Sequence, residues 1–311
     1  MIVVTGATGN SGSVVARALL TKERRVRVIG RSAARLEPLV EEGAEAFVCN
    51  LTDAERLGAA FAGANAVYVM EPPNVTSNDY RAYQDRIADT AAGAIEMAGV
   101  KYAVSLSSVG ADKPDGTGPV VGQYYLEQRL NRIPGLNTLH LRAGYLMENT
   151  LIQAGVIPAL GVVAGPLSPE LKIPMVAARD AGAAAADALL RLDFNGHETR
   201  ELLGERDITM AEAASIIGSA IGRPDLAYLQ IPDDQLRPAL VQAGISENVA
   251  DLILEMAGAM NSGRYAALEE RSPWNTTPTS FETFVAQEFV RRYHGIAARE
   301  STGKPANASI S

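Results

Sequence analysis

Twelve residues at the amino end constrain this chain more than any others. Met1-Ile-Val-Val-Thr-Gly-Ala-Thr-Gly-Asn-Ser-Gly12 runs from β-branched residues to a threonine, then places glycines three apart at Gly6, Gly9 and Gly12. Residues 13–20 follow, rich in Ala and Leu with apolar positions at helical spacing. The stretch predicts a strand, a tight turn and the start of a helix. Gly6 admits a backbone conformation closed to other residues, Gly9 lets the main chain approach a bulky anion, and Gly12 allows the helix to pack closely on the strand. The free N–H groups of the helix's first turn, at the positive end of its dipole, then face a phosphate. The first glycine pair is one residue wider than in G-x-G-x-x-G, and a glycine trio alone is only a turn signal. Its place in the first βα turn of an alternating chain is what points to a dinucleotide.

That alternation continues. Strands are expected at 25–30, 44–49, 65–70, 101–107 and 137–142, and helices at 33–42, 52–61, 79–98 and 120–132. Thr52 and Glu55 have capping-box spacing at the start of the third helix. Six strands separated by helices imply an α/β fold with a doubly wound parallel sheet, because parallel neighbours need helical crossovers. Past Gly144 the rhythm changes to helices at 181–192, 210–221, 234–243, 247–260 and 281–293, with short strands at 201–203 and 227–231. Thr209 with Glu212 and Thr279 with Glu282 are two more capping boxes. The expected organisation is a dinucleotide-binding domain over 1–150, onto which later segments pack back. A smaller, mostly helical substrate lobe over 151–296 lies above the carboxyl ends of the strands, and a fraying tail spans 297–311.

Composition excludes several classes. The net charge of −8 over 311 residues argues against a nucleic-acid surface. The longest apolar run, residues 154–167, is short and broken by Pro158, Gly161, Gly165 and Pro166, so no membrane span is expected. With Met1 already at the first strand, the expectation is a cytoplasmic protein without a leader. A lone cysteine, Cys49, forms no internal disulfide and reads as a buried filler. The three histidines, His140, His197 and His294, lack metal-ligand spacing, so no metal is expected.

The end of the second strand bears on the choice of cofactor. A site for the unphosphorylated ribose places Asp or Glu there, about twenty residues past the glycines. This corner reads Gly30-Arg31-Ser32, with Arg35 following and no acid. A guanidinium pairs with a 2′-phosphate and stacks on adenine, so NADP(H) is expected over NAD(H). At the next corner Asn50-Leu51 falls where adenine meets the sheet edge; Asn50 suits both a contact to the base and a plain turn.

Taken together, Thr5-Gly-Ala-Thr-Gly-Asn-Ser-Gly12, Arg31, Met70-Glu-Pro-Pro73, Ser105-Leu-Ser-Ser-Val-Gly-Ala111, Leu141-Arg-Ala-Gly-Tyr-Leu-Met-Glu-Asn149 and Thr276-Thr-Pro-Thr-Ser-Phe281 resemble the NmrA-like family of atypical short-chain dehydrogenases/reductases. The likeness extends over roughly residues 1–290. It implies a Rossmann domain with NADP(H) across the strand ends. It also carries cofactor contacts onto Thr8, Asn10, Met70, Pro72 and Tyr145 within those motifs. The Glu148-Asn149 pair is expected to line the cleft beside Tyr145 and Met147. The family contains reductases of quinones, imines and phenolic compounds as well as members that bind NADP without turnover.

Short-chain reductases of the typical kind use a serine after strand five and a Tyr-x-x-x-Lys pair on the next helix, one turn apart and so on one face. Here Ser107 and Ser108 stand at the strand end, and the helix offers Tyr124 and Tyr125, with Tyr125 facing Arg129 and no lysine. Ser107 and Tyr125 are the candidate catalytic residues, Ser107 also touching the cofactor; Arg129 is a bulky, permanently charged stand-in. The expected activity is an NADPH-dependent oxidoreductase on a small apolar carbonyl, quinone or imine. The alternative is a non-catalytic NADP(H) redox sensor acting on a protein partner, which the missing lysine favours.

Overall fold

The computed structural model describes the backbone of residues 1–301 and the side chains of 1–296. Seven parallel strands form the central sheet. In chain order the first half runs β1 (Ile2–Val4), α1 (Gly12–Thr21), β2 (Val26–Gly30), α2 (Ala33–Glu41), β3 (Glu45–Val48), α3 (Ala54–Phe61), β4 (Ala66–Val69), α4 (Tyr80–Ala98), β5 (Tyr102–Ser108), α5 (Val120–Asn131) and β6 (Asn137–Ala143). The second half runs β7 (Tyr145–Leu146), a 3₁₀ segment (Met147–Ile152), α6 (Gln153–Leu160), β8 (Val163–Gly165), β9 (Ile173–Val176), α7 (Ala178–Arg191), β10 (His197–Leu202), β11 (Asp207–Ile208), α8 (Met210–Ala220), β12 (Tyr228–Gln230), α9 (Asp233–Gln242), α10 (Glu247–Asn261), α11 (Phe281–Phe284), a π-helical turn (Val285–Phe289) and α12 (Val290–Ser301). Of the expected tail at 297–311, residues 302–311 lie outside the described residues, and α12 carries the backbone to 301.

The sheet order is β10-β6-β5-β4-β1-β2-β3. The chain winds outward from β1 through β2 to β3, then returns to the other side of β1 for β4. This reversal opens a crevice at the carboxyl ends of β1 and β4, where doubly wound sheets bind ligands. Alternate strand residues feed two cores. Ile2, Val4, Val28 and Tyr68 pack with α1, α2 and α7 through Val15, Leu19, Leu36, Ala185 and Leu189. Val3, Ile29, Val67 and Val69 pack with α3, α4 and α5 through Leu57, Phe61, Ile87, Ile95, Leu126 and Leu130. A third core, around Met175, Ile217, Met260, Phe281, Phe284 and Phe289, holds the carboxyl-terminal lobe together.

Several local expectations are corrected. The short strand expected at 201–203 is the end of β10, which pairs with β6 from His197 to Leu202 and makes a seventh sheet strand. Its first residues, His-Glu-Thr, lie exposed on the sheet's edge, so no apolar alternation marks them. Thr52 is not the cap of α3: the Asp53 carboxylate accepts the Arg56 N–H, one residue later. Thr279 likewise yields to Ser280 at α11, where the Ser280 hydroxyl accepts the Thr283 N–H. Thr279 is drawn inward, its hydroxyl and N–H both donating to the buried Asp180 carboxylate of α7 at 2.8 Å. Thr209 does cap α8, accepting the Glu212 N–H. Among the described residues no helix is long and apolar enough to cross a membrane.

Candidate cofactor and substrate site

At the carboxyl end of β1, the Thr5 hydroxyl donates to the Tyr68 carbonyl (3.1 Å) and accepts the Met70 N–H (3.2 Å). These bonds clamp the β1 and β4 ends on either side of the crevice. Gly6 follows at φ 59°, in the left-handed region, and a Cβ there would stand 2.5 Å from Met70 Sδ. A Cβ on Gly12 would collide with the Gly6 carbonyl oxygen, and one on Gly9 would press on it from 3.2 Å. The three glycines therefore leave a cradle of bare backbone that any side chain would fill. The N–H groups of Thr8, Asn10, Ser11 and Gly12 make no backbone bond among the described residues. No side chain caps α1 and no acid sits in its first turn. Unsatisfied amides at an uncapped helix start match the chemistry of a pyrophosphate.

Arg31 and Arg35 stand exposed beside this cradle. Arg35 Nη2 reaches to within 3.4 Å of the Thr8 carbonyl, and neither guanidinium has a carboxylate partner among the described residues. On α4 the Tyr83 hydroxyl donates to the Pro72 carbonyl at 3.1 Å; burial raises this phenol, and the Arg31 charge acts on it in the opposite sense. The Asn50 carboxamide oxygen accepts the Thr52 N–H at 3.2 Å, an Asx-type turn, while Leu51 is buried beneath it.

At the other end, successive residues of β5 point to opposite faces. Ser107 is buried and donates to Glu127 Oε1 on α5 at 2.6 Å. Arg142 of β6 closes on the same carboxylate in bidentate fashion, at 2.9 and 2.6 Å. The structure therefore commits Ser107 to an internal ion-pair network. Ser108 turns the other way and meets the Tyr265 hydroxyl at 2.9 Å. Below Ser107, Ser105 bonds His140 Nδ1 at 2.7 Å, and burial pushes the imidazole down to about 4, so it stays neutral.

Tyr125 requires a correction. Two residues along a helix turn the side chain by about 200°, so an α5 that delivers Glu127 to Ser107 aims Tyr125 away. Its hydroxyl donates to Asp89 on α4 at 3.1 Å, Arg129 pairs with the same carboxylate, and Arg81 lies over the ring. Partial burial and the Asp89 carboxylate raise the phenol, opposite to what a lysine would do. Tyr125 and Arg129 do share a face, but it is the outer one. Both oxygens of Glu148 accept the Ala178 N–H at 3.0 Å, at the start of α7. Asn149 beside it is exposed.

Between α10 and α11, sequence reasoning singled out only residues 276–280 and gave no role to 262–275. The segment runs as a strap over the strand ends. The Glu201 carboxylate at the end of β10 accepts the N–H groups of Leu268 and Glu269, and Arg271 donates to the Leu203 and Gly204 carbonyls and pairs with Asp207. Arg264 pairs with Asp115 in the loop after β5. Under the strap lies a cavity of about 310 Å³, walled by Val109, Tyr145, Leu171, Ile173, Met260 and Tyr265, with Lys172, Asp207, Glu269 and Arg271 on its polar side. Burial raises the hydroxyls of Tyr145 and Tyr265 to about 12.

A model of the NmrA-like family matches residues 1–285. This chain belongs to the NmrA-like family. It is 30% identical over 260 residues to an NAD(P)H azoreductase of Xenophilus azovorans, covering 82% of this chain and 86% of that protein. It is similar in fold to the NADPH-dependent quinone oxidoreductase of Escherichia coli solved with NADPH, at a TM-score of 0.76 and 24% identity over 93% of this chain and 100% of the other. It is also similar to the triphenylmethane reductase of a Citrobacter species solved with NADP(H), at 0.76 and 20% over 93% and 100%. At these identities the two solved structures speak for the fold.

Proposed function

We propose that this NmrA-like protein is an NADPH-dependent oxidoreductase acting on small, largely apolar acceptors: quinones, carbonyls or imines. The observation that carries the reading is the pairing of two features along one row of strand ends. A bare-backbone cradle flanked by two acid-free arginines stands at the β1 and β4 ends, and an aromatic- and methionine-walled cavity stands at the β5 and β6 ends. The cradle amides and the α1 amino terminus would hold the pyrophosphate, and Arg31 with Arg35 the ribose 2′-phosphate, which an acid in their place would repel. Bound there, a reduced nicotinamide supplies the hydride. The protein's own part is to orient the acceptor against Tyr145, Val109 and Met260 and to keep bulk water away under the strap. A cavity of about 310 Å³ suits a one- or two-ring acceptor. The names of the azoreductase and the quinone oxidoreductase support the same reaction type.

The test has two arms. NADPH is expected to bind more tightly than NADH, and Arg31→Ala to weaken NADPH by about tenfold or more while changing NADH little, as a lost charge-assisted pair would. Equal affinities in both proteins would remove the assignment. Oxidation of NADPH with a panel of quinones, aldehydes and imines is expected to identify at least one acceptor; a silent panel with tight NADPH binding would overturn the enzymatic reading.

A further inference from the structure

We propose that the Tyr265 hydroxyl is the group that meets the acceptor's oxygen or nitrogen during reduction, and that Ser108 positions it. This rests on the oxidoreductase reading and adds a donor to it. Four observations converge on Tyr265. Its hydroxyl lies 2.9 Å from Ser108 Oγ, at the carboxyl end of β5. Its side chain walls the cavity together with Tyr145 and Val109. The ring packs against bare backbone: Gly110 has φ 85°, and a Cβ there would stand 2.7 Å from the ring. The α5 tyrosine expected in this role is turned outward to Asp89. A Ser–Tyr hydroxyl pair is thus assembled from a strand end and a strap 157 residues away, rather than from a strand and the helix that follows it.

The chemistry suits a phenol without a cationic neighbour. Burial and the Glu201 carboxylate hold Tyr265 in its neutral form, so it keeps its proton as a donor. In the reduction of a quinone or carbonyl, hydride adds to the acceptor as its carbon–oxygen π bond breaks, and the electron pair moves to oxygen. Tyr265 donates its hydrogen bond and then its proton to that oxygen, and once the reduced product has left, solvent returns a proton to the phenolate. NADPH is the reductant and leaves as NADP⁺. Ser108 fixes the direction of the phenol O–H, which is what preorganised stabilisation of a developing oxyanion requires.

The experiment uses the full chain with menadione as acceptor, alongside N-methylquinolone, a carbonyl compound of similar outline that is not reduced. Tyr265→Phe keeps the ring on Gly110 and removes only the hydroxyl. Its kcat is expected to fall about 100-fold, its NADPH dissociation constant to stay within about twofold, and its affinity for N-methylquinolone, measured by calorimetry on NADP⁺-loaded protein, to drop about tenfold. Ser108→Ala is expected to lose about tenfold in kcat with NADPH binding unchanged, and Ser108→Thr to restore most of it. It also stands as the independent variant should Tyr265→Phe fold poorly. A Tyr265→Phe protein that folds, turns over menadione at wild-type kcat and binds the quinolone equally well would overturn the inference and leave the oxidoreductase reading standing. Wild-type protein inactive with every acceptor would overturn both.

Discussion

Glu71, just past β4, offers the sharpest quantitative test of the structure. Its carboxyl is buried at 8% exposure; Oε2 accepts the Gln84 Nε2–H at 3.0 Å, while Oε1 has no partner. Among the described residues it has no ion pair, and the Arg81 and Asp85 charges on α4 act on it in opposite senses. Burial dominates and pushes the carboxyl from 4.5 up to about 8. The sign follows from linkage. Between 4.5 and about 8 the folded protein holds a proton that the unfolded chain has released, so stability falls as pH rises through that window. The penalty is absent below 4.5 and complete above about 8. At about 1.4 kcal/mol per pH unit its ceiling is about 5 kcal/mol, and relaxation around the charge reduces this to a few. Glu71→Gln mimics the protonated form, keeps an oxygen for Gln84 and cannot ionise. Urea unfolding of both proteins at several pH values is the assay, and their difference cancels the titration of every other group. The two are expected to match near pH 5. The glutamine variant is expected to become the more stable as pH rises, with a urea midpoint higher by on the order of 1 M at pH 9. A difference that stays flat with pH, or a glutamine variant that is the weaker at pH 9, would refute the reasoning.

Two further predictions follow from the same geometry. Gly12→Ala puts a methyl group against the Gly6 carbonyl. It is expected to weaken NADPH at least tenfold by fluorescence titration while the circular dichroism spectrum is retained; unchanged affinity would mean that the cradle is not the phosphate site. Glu127→Gln leaves the Arg142 guanidinium, only 12% exposed, without its carboxylate. A loss of about 3–5 kcal/mol in unfolding free energy is expected, because the stranded charge cannot reach water; a loss below about 1 kcal/mol would show that Arg142 finds solvent.

What was legible in the sequence was whatever a repeating pattern or a backbone requirement writes locally. The six βα strands could be read because each is a short stretch with apolar residues set between segments of helical spacing, and the cradle because glycines mark places where backbone must come close. The absence of an acid after β2 was equally plain, and among the described residues no carboxylate pairs with Arg31 or Arg35. β10 was largely missed because its opening residues are charged and lie on the sheet edge. The helical spacing of Tyr125 and Arg129 correctly put them on one face, but periodicity does not say which face looks inward when the inward residue is itself charged. Glu127 is 1% exposed, and nothing in its neighbours distinguishes it from a solvated glutamate.

That buried glutamate explains why the site departs from the helix-borne pattern. Once Arg142 on β6 needs a carboxylate inside the protein, α5 must turn Glu127 toward the sheet, and Ser107 is recruited as a third member at 2.6 Å. The same rotation carries Tyr125 out to Asp89, and the hydroxyl that meets Ser108 is that of Tyr265. That hydroxyl comes from the strap, which lies against the β5 end. Its anchors are independent of α5: Glu201 holds the Leu268 and Glu269 amides, and Arg264 holds Asp115. A strap tied to the β10 end and to the β5 loop can keep Tyr265 in place whatever α5 does. The outward turn of Tyr125 thus goes with one internal ion pair, and the donor proposed at Tyr265 sits on an element that does not depend on it.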